Sequence, residues 1–257
     1  MEKNNRKQEE EVSSAKIRNL TIAAFVIFIL LFGGGAFTFF KIKNQPGETQ
    51  QTGVQDPLRK VLNENENVFN KVFSSNHLAK TYPKSEAVKN VRVNGDVGMG
   101  NDFDAKDWKL KLVKADGDTL AISLADIQKL PKTEITFDFK CIEGWSQVTN
   151  WGGVKFSDFV KAYHLDQQSQ KKYIGLVTPD GEYYVGIDMP SAMHPQTLLC
   201  YEMNGKPLPM DQGYPLRLMI PTKYGIKSLK RIGTLSFSNE RPKDYWYERG
   251  YDYYSGL

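Results

Sequence analysis

Cysteine and histidine are scarce in this chain of 257 residues, which contains two cysteines and three histidines. Cys141 and Cys200 fit no zinc-ligand spacing, and no C-x-x-C-H motif for covalent haem attachment is present. Two cysteines form one disulfide at most, which excludes a small disulfide-built scaffold. His77, His164 and His194 lie in unrelated local settings without a partner at metal-ligand spacing, so each is interpreted as a surface or loop residue.

A strong excess of one charge is also absent. Lys and Arg total 34 and Asp and Glu total 30, which leaves a formal net charge of +4. That balance is too weak to indicate nucleic acid as a general ligand. The chain contains no G-x-S-x-G, P-loop or H-E-x-x-H motif, so the common hydrolase and nucleotide-binding classes lose support.

One long apolar segment is present near the N-terminus. Residues 20–40 carry no charged side chain, and 16 of these 21 residues are Ala, Val, Ile, Leu or Phe. A helix of this length spans roughly 31 Å, which is enough to cross a bilayer core of about 30 Å. The charged leader before it, and Lys41 and Lys43 after it, favour a retained anchor over a cleaved signal peptide, which stays open as the alternative.

The sequence divides into five predicted segments: a charged tail (1–19), a transmembrane anchor (20–40), a polar tether (41–55), a helical lead-in (56–91) and one domain (92–257). Asp56 and Pro57 predict the N-cap and first position of a helix. Alternation and turn residues then predict strands, including hairpins around Gly117 and Gly181. The predicted strands are 109–113, 120–122, 135–142, 173–177, 182–187, 198–203, 216–220 and 226–237, with short helices at 123–129 and 157–163. The predicted class is α+β, mainly β with a few helices, preceded by one transmembrane helix.

Two features in the domain are chemically suggestive. Cys141 ends a predicted strand, just before a turn, where it is either a buried structural cysteine or a thiolate ligand to a metal. Residues 217–231 hold five basic residues and no acidic residue, which is typical either of a solvated basic face or of an anion site. The residues themselves leave both questions open.

Six segments resemble, in the same order, the sulfite-oxidase-type molybdopterin-binding domain. They are 141–146 (CIEGWS), 151–154 (WGGV), 193–195 (MHP), 201–209 (YEMNGKPLP), 213–217 (GYPLR) and 221–230 (PTKYGIKSLK). The resemblance runs from about residue 92 to residue 257, and it implies the mainly β fold of that family. It also implies a molybdenum–molybdopterin cofactor, with molybdenum held by one pyranopterin dithiolene and one protein thiolate.

The resemblance assigns Cys141 as the metal ligand and as the catalytic residue. It further implies cofactor contacts at seven other positions: Asn94, Thr178, Gln212, Arg217, Ser228, Leu229 and Lys230. Arg217 and residues 228–230 match positions that hold the pterin and its phosphate. Gln212 stands where relatives often have His or Asn.

The activity that the resemblance implies is oxygen-atom transfer to or from a small-molecule substrate. Glu143 and Trp145 follow the cysteine where sulfite oxidases have an arginine-rich stretch, and an acid there disfavours the sulfite dianion. The segment is more similar to the bacterial branch that includes the periplasmic methionine-sulfoxide reductases, so reduction of an S-oxide or N-oxide is predicted. Sulfite-type oxidation, a cofactor-free membrane-anchored binding module, and a structural domain with a Cys141–Cys200 disulfide remain alternatives.

Electrons must then come from a separate carrier, because the chain has no haem motif. A haem-bearing or quinol-linked membrane protein is the predicted partner. The predicted location is the plasma membrane, with a single pass and the catalytic domain on the extracytoplasmic side. The leader contains Arg6-Lys7 but no Arg-Arg pair, which is the usual signal for export of a folded domain. Either export uses an atypical signal, or the domain faces the cytoplasm.

Overall fold

The computed structural model describes residues 14–44, 54–73, 75–100 and 103–257. Most of the predicted charged tail and of the tether therefore lies outside the described residues. Helix α1 (Ser14–Lys43) contains the whole predicted anchor and extends beyond it at both ends. Its length and apolar composition suit either a membrane-crossing helix or a signal sequence.

Within the described residues, ten strands form two five-stranded sheets. They are β1 (Lys109–Val113), β2 (Thr119–Ser123), β3 (Lys132–Lys140), β4 (Ser146–Lys155), β5 (Tyr173–Val177), β6 (Tyr184–Asp188), β7 (Leu198–Met203), β8 (Lys206–Pro207), β9 (Arg217–Met219) and β10 (Thr234–Ser238). The first sheet has the order β2-β1-β10-β5-β6, with β1 and β10 parallel. The second has the order β3-β4-β7-β8, and β9 pairs with β7. The expectation of a mainly β domain with few helices is confirmed.

Four further helices are short or peripheral: α2 (Asp56–Val72), α3 (Leu124–Gln128), α4 (Phe156–Ala162) and α5 (Met189–Ala192). Ser123 caps α3 as predicted, since its hydroxyl accepts a hydrogen bond from the Asp126 N–H at 3.2 Å. The predicted cap of α2 is wrong by one residue, because Gln55 takes the extended N-cap conformation and Asp56 is already helical.

Two strand predictions fail. Strand β4 was not predicted, because residues 149–154 are buried on both faces and therefore show no alternation. The predicted strand 226–237 is mostly irregular: Gly225–Lys227 forms a 3₁₀ turn and only Thr234–Ser238 is extended. Arg231 has a φ of +53°, which no regular strand accommodates.

Gly153 explains how β4 and β7 approach each other so closely. A β-carbon at this position would lie 2.1 Å from the Leu199 carbonyl oxygen, and the register of the two strands shifts between Gly152 and Gly153. We expect Gly153→Ala to lower the free energy of unfolding by about 3 kcal/mol, as measured by urea denaturation. Gly100→Ala is the control, since its β-carbon would meet only the Asp180 side chain at 3.4 Å; equal losses in the two variants would contradict this account.

Helix α2 packs against the C-terminal segment of the domain. Arg59 donates to the backbone oxygens of Tyr251 at 3.1 Å and Tyr247 at 2.9 Å. The ring of Phe69 stacks on that of Tyr254, with centroids 4.6 Å apart. Glu66, which is buried, pairs with Arg241. The helical lead-in therefore packs directly against the domain that follows it.

Candidate active site

A cavity of about 120 Å³ lies where β3 ends. Strands β3 and β4 form a hairpin whose last pair is Lys140 with Ser146, so Cys141 is the first residue of the connecting loop. Four of the eight predicted site residues line this cavity: Asn94, Cys141, Ser228 and Lys230. The tertiary structure thus brings together residues that are 136 positions apart in sequence (94 to 230).

The hairpin loop holds Cys141 in place. The Cys141 N–H donates to the Trp145 carbonyl oxygen at 2.9 Å, and the Gly144 N–H donates to the Cys141 carbonyl oxygen at 3.1 Å. Gly144 has a φ of +86°, a conformation that glycine adopts without strain. The Cys141 side chain is buried but lines the cavity. Burial raises the pKa of the Cys141 thiol, and the Glu143 carboxylate acts in the same direction while Arg92 opposes it.

Cys200 has a different environment. It lies inside β7, is fully buried, and packs in an apolar cluster with residues such as Trp151 and Met219. Burial raises the pKa of the Cys200 thiol far above its ordinary value. Both cysteines are free thiols, so the structure contains no Cys141–Cys200 disulfide.

The basic segment 217–231 is not a solvated face. All five of its basic residues are buried, and they fall into two groups. Lys223 and Lys227 form buried ion pairs, with Asp188 and Asp244 respectively. Within the part of the chain that the structure describes, the other three basic residues, Arg217, Lys230 and Arg231, lie within 4 Å of no carboxylate.

Backbone oxygens hold these three cations instead. Lys230 donates to the Gly95 oxygen at 2.5 Å, and Arg231 donates to the Gly100 oxygen at 2.9 Å. Arg217 donates to the Ser228 oxygen at 3.3 Å, while its buried Nε atom has no hydrogen-bond partner. Burial lowers the pKa of Lys230 to about 8 and that of Arg217 to about 10. A buried cation without a counter-ion is costly, so this region favours an anion.

The other four predicted site residues, Thr178, Gln212, Arg217 and Leu229, do not line the cavity. Gln212 accepts a hydrogen bond from Arg217 at 3.0 Å and so orients the guanidinium. Thr178 donates to Asp180 at 2.6 Å. Leu229 is fully buried, and its backbone oxygen accepts from the Leu218 N–H at 3.0 Å. Direct contact of these side chains with a cofactor stays a prediction.

Sequence reasoning missed an aromatic wall of the cavity. Tyr183, Trp246 and Tyr251 line the same cavity as Cys141. The rings of Trp246 and Tyr251 meet edge to face, with centroids 5.0 Å apart, and the Tyr183 hydroxyl donates to the Ile226 oxygen at 2.7 Å. The signal was available, because residues 245–254 contain six aromatic side chains (YWYERGYDYY).

The histidines lie at the surface or in a loop, as predicted. His77 and His164 are exposed. His194 lies in the turn that follows α5, where it is buried. Among the described residues, no group of three or more His, Cys, Asp or Glu side chains is placed to hold a metal ion.

The donor set around the cavity fits a metal bound to an anionic organic group. A thiol suits a soft metal, and Lys230 and Ser228 suit a phosphate or a polar heterocycle. Arg217, which donates a hydrogen bond to the Ser228 oxygen, has one further N–H donor, at Nε, that has no hydrogen-bond partner. One wall of the cavity, residues 94–97, is irregular backbone, and Lys230 contacts it through the Gly95 oxygen.

Comparisons with known proteins agree with this chemistry. The family model described as "oxidoreductase molybdopterin binding domain" matches residues 97–246. The putative protein-methionine-sulfoxide reductase subunit YedZ1 of Azospira oryzae is 33% identical over 210 residues, which are 81% of this chain and 79% of that protein. The protein-methionine-sulfoxide reductase catalytic subunit MsrP of Campylobacter jejuni is 35% identical over 164 residues, 58% of this chain and 55% of that one.

A solved structure is also similar. The sulfane dehydrogenase SoxCD of Paracoccus pantotrophus aligns with a TM-score of 0.49 at 18% identity, over 55% of this chain and 40% of that one.

Proposed function

Because the chain belongs to the oxidoreductase molybdopterin-binding family and is thus a molybdopterin-dependent oxidoreductase, we propose that it reduces S-oxides, methionine sulfoxide in particular. The overall reaction takes one S-oxide, two protons and two electrons to one sulfide and one water. The observation that carries the proposal is the Cys141 thiol in a cavity next to buried cations without counter-ions.

The residues around the cavity take distinct roles in this proposal. The cofactor, when bound, supplies the two-electron redox chemistry. Cys141 would hold its metal through sulfur, and Asn94, Ser228 and Lys230 would contact the pterin. Arg217 would support the cofactor site indirectly, because it holds the Ser228 carbonyl group by a hydrogen bond and adds positive charge.

The cavity favours a neutral substrate over sulfite. Glu143 places a carboxylate at the cavity, where it accepts a hydrogen bond from the Trp145 ring N–H at 2.9 Å. Like-charge repulsion disfavours a dianion there. The aromatic wall of the cavity suits the thioether end of a methionine side chain, since sulfur makes favourable contacts with aromatic rings.

Membrane anchorage through α1 and electron supply by a separate membrane carrier complete the proposal. The length and composition of α1 support the first. The second follows from the lack of a haem-attachment motif in the sequence. The catalytic domain is proposed to lie outside the cytoplasm.

Purified protein tests the proposed function directly. We expect about one molybdenum and one molybdopterin per chain, reduction of methionine sulfoxide by a reduced dye, and little sulfite oxidation. Protein that forms in cofactor-producing cells without molybdenum would favour the binding-module alternative. Protein that oxidises sulfite but does not reduce S-oxides would favour the sulfite-oxidase alternative.

The aromatic wall gives a prediction about substrate affinity. Tyr251→Ala should raise the KM for methionine sulfoxide roughly three- to tenfold, because an aromatic contact of this kind contributes about 0.5–1.5 kcal/mol. The molybdenum content should stay unchanged. Tyr224→Ala is the control, because that side chain is only partly buried and does not line the cavity; a similar rise in KM there would contradict a specific role for the wall.

A further inference from the structure

Helix α2 carries an apolar stripe that the domain does not cover. Leu58, Val61, Val68 and Val72 are 46%, 64%, 56% and 68% exposed. At 100° per residue these four positions fall within an arc of about 80° on one side of the helix. Four aliphatic residues on one exposed face are unusual for a surface helix in water.

The stripe is distinct from the face by which α2 packs on the domain. That packing face carries Arg59, Glu66 and Phe69, whose partners lie in the C-terminal segment. The polar face contains Lys60, Glu64 and Lys71, which are all exposed. Helix α2 therefore has a packed face, a polar face and, between them, an apolar face without a partner in the described structure.

The apolar surface continues beyond the helix. Val72 and Leu78, which is 56% exposed, line a cavity of about 410 Å³, together with Phe73. Lys80 and Lys140 also line this cavity. The stripe and the cavity form one apolar surface bordered by lysines, named here the α2 surface.

The bilayer is the occupant that the chain itself brings within reach. Only residues 44–55 separate the end of α1, at Lys43, from the start of α2. Twelve residues span at most about 43 Å even when fully extended. Once α1 is in a membrane, the α2 surface is held next to that membrane at high effective concentration.

The charges around the α2 surface favour an anionic membrane. Lys60 and Lys71 lie on the polar face beside the stripe, and Lys80 and Lys140 line the cavity. Among the described side chains of this surface they face two acidic residues, Glu64 on the polar face and Asp138 at the cavity, so the balance is positive. Aliphatic residues beside lysines are typical of helices that lie in the interface of a bilayer with anionic lipids.

We propose that the α2 surface docks the catalytic domain onto the lipid surface of the membrane in which α1 is anchored. The inference rests on the proposed anchorage and goes beyond it, since a tether alone would leave the domain free to tumble. Because α2 also binds the backbone of Tyr247 and Tyr251, docking would fix the orientation of the cavity wall that carries Tyr251 relative to the membrane.

Spin labels on the full chain test the proposal. The protein is placed in nanodiscs of phosphatidylcholine and phosphatidylglycerol, and a nitroxide is attached to Val68→Cys, Asn67→Cys or Leu30→Cys. Unsubstituted protein serves as the blank, because Cys141 and Cys200 are buried. Collision rates with oxygen and with a water-soluble nickel chelate then report the depth of each label. Asn67 is the matched control, since it is exposed on the polar face one residue away.

Docking predicts a ratio of oxygen to nickel collisions at least threefold higher at Val68 than at Asn67. The difference should shrink in nanodiscs of phosphatidylcholine alone. If the collision rates are those of a label in water at Val68 and those of a label in lipid at Leu30, the docking proposal is wrong and the anchorage still holds. Spin–spin broadening between Val68 labels would assign the α2 surface to a second copy of the chain, which also overturns the proposal. A water-like Leu30 label would reject the anchorage, and with it the docking.

Discussion

Cys141→Ser is expected to abolish S-oxide reduction, with turnover falling about 100-fold or more, and to remove the visible absorption of a metal–thiolate bond. Serine has a similar volume but replaces a soft ligand with a hard, weakly acidic hydroxyl. The hairpin loop is held by backbone hydrogen bonds of Cys141 and Gly144, which the substitution does not touch. The melting temperature of the cofactor-free protein should therefore change little. Absorption spectra, molybdenum content and turnover with reduced dye provide the measurement.

Cys200→Ser is the matched control for this prediction. Its side chain lies in the apolar cluster with Trp151 and Met219 and lines no part of the active-site cavity. A buried hydroxyl without a partner there costs roughly 1–3 kcal/mol of stability, but the visible band and the turnover per molybdenum should remain. If both serine variants kept the band and the activity, Cys141 would not be the metal ligand.

Lys230→Met is expected to lower molybdopterin content roughly tenfold or more while leaving the cofactor-free protein at least as stable as wild type. The loss follows from the charge-assisted hydrogen bonds, worth about 1.5–3 kcal/mol each, that an ammonium group makes with a phosphate. Stability is kept because Lys230 is a buried cation without a carboxylate partner among the described residues. Its present acceptors, the backbone oxygens of Gly95 and Asp211, belong to exposed residues, so water can donate hydrogen bonds to these oxygens in the variant. Fluorescence measurement of the pterin content tests the expected loss of cofactor, and urea denaturation tests the expected stability of the cofactor-free protein.

The pH dependence of stability tests the interpretation of Lys230 as a buried cation without a carboxylate partner among the described residues. The pKa of Lys230 is about 8 in the folded protein against 10.5 for a free lysine. Between these values the unfolded chain binds more protons than the folded one, so the stability of the cofactor-free protein rises with pH. The pKa of Lys223 is also lowered to about 8, so part of the rise persists in the variant. Lys230→Met should show a smaller rise from pH 8 to 10; an unchanged rise would contradict the unpaired-cation interpretation.

Arg217→Ala is the contrasting variant. Arg217 is wholly buried and donates to the oxygens of Gln212 and Ser228, which are buried as well. Its removal leaves these acceptors unpaired at a cost of about 1–3 kcal/mol each. We therefore expect Arg217→Ala to lose both pterin and stability, whereas Lys230→Met loses pterin alone. Full pterin content in Arg217→Ala would remove Arg217 from the anion site.

Local patterns were sufficient for much of the secondary structure. The hairpin around Gly117 and the Ser123 cap depend on residues a few positions apart, and their predictions are confirmed. The apolar run 20–40 likewise required only length and composition to indicate α1. Failures occurred where burial on both faces hides the periodicity, as in β4, or where a residue with positive φ interrupts a predicted strand, as at Arg231.

The sequence by itself determined the class of fold through composition and periodicity, and the resemblance of six short segments identified the family and implied Cys141 as the candidate metal ligand. Only the tertiary structure decided how the five basic residues of 217–231 divide. Asp188 and Asp244, from other parts of the chain, neutralise Lys223 and Lys227. Arg217, Lys230 and Arg231 are held by backbone oxygens instead, and Arg217 also by the neutral side-chain oxygen of Gln212. The aromatic wall and the uncovered face of α2 are also products of the fold, since a side chain's exposure depends on which distant segment packs against it.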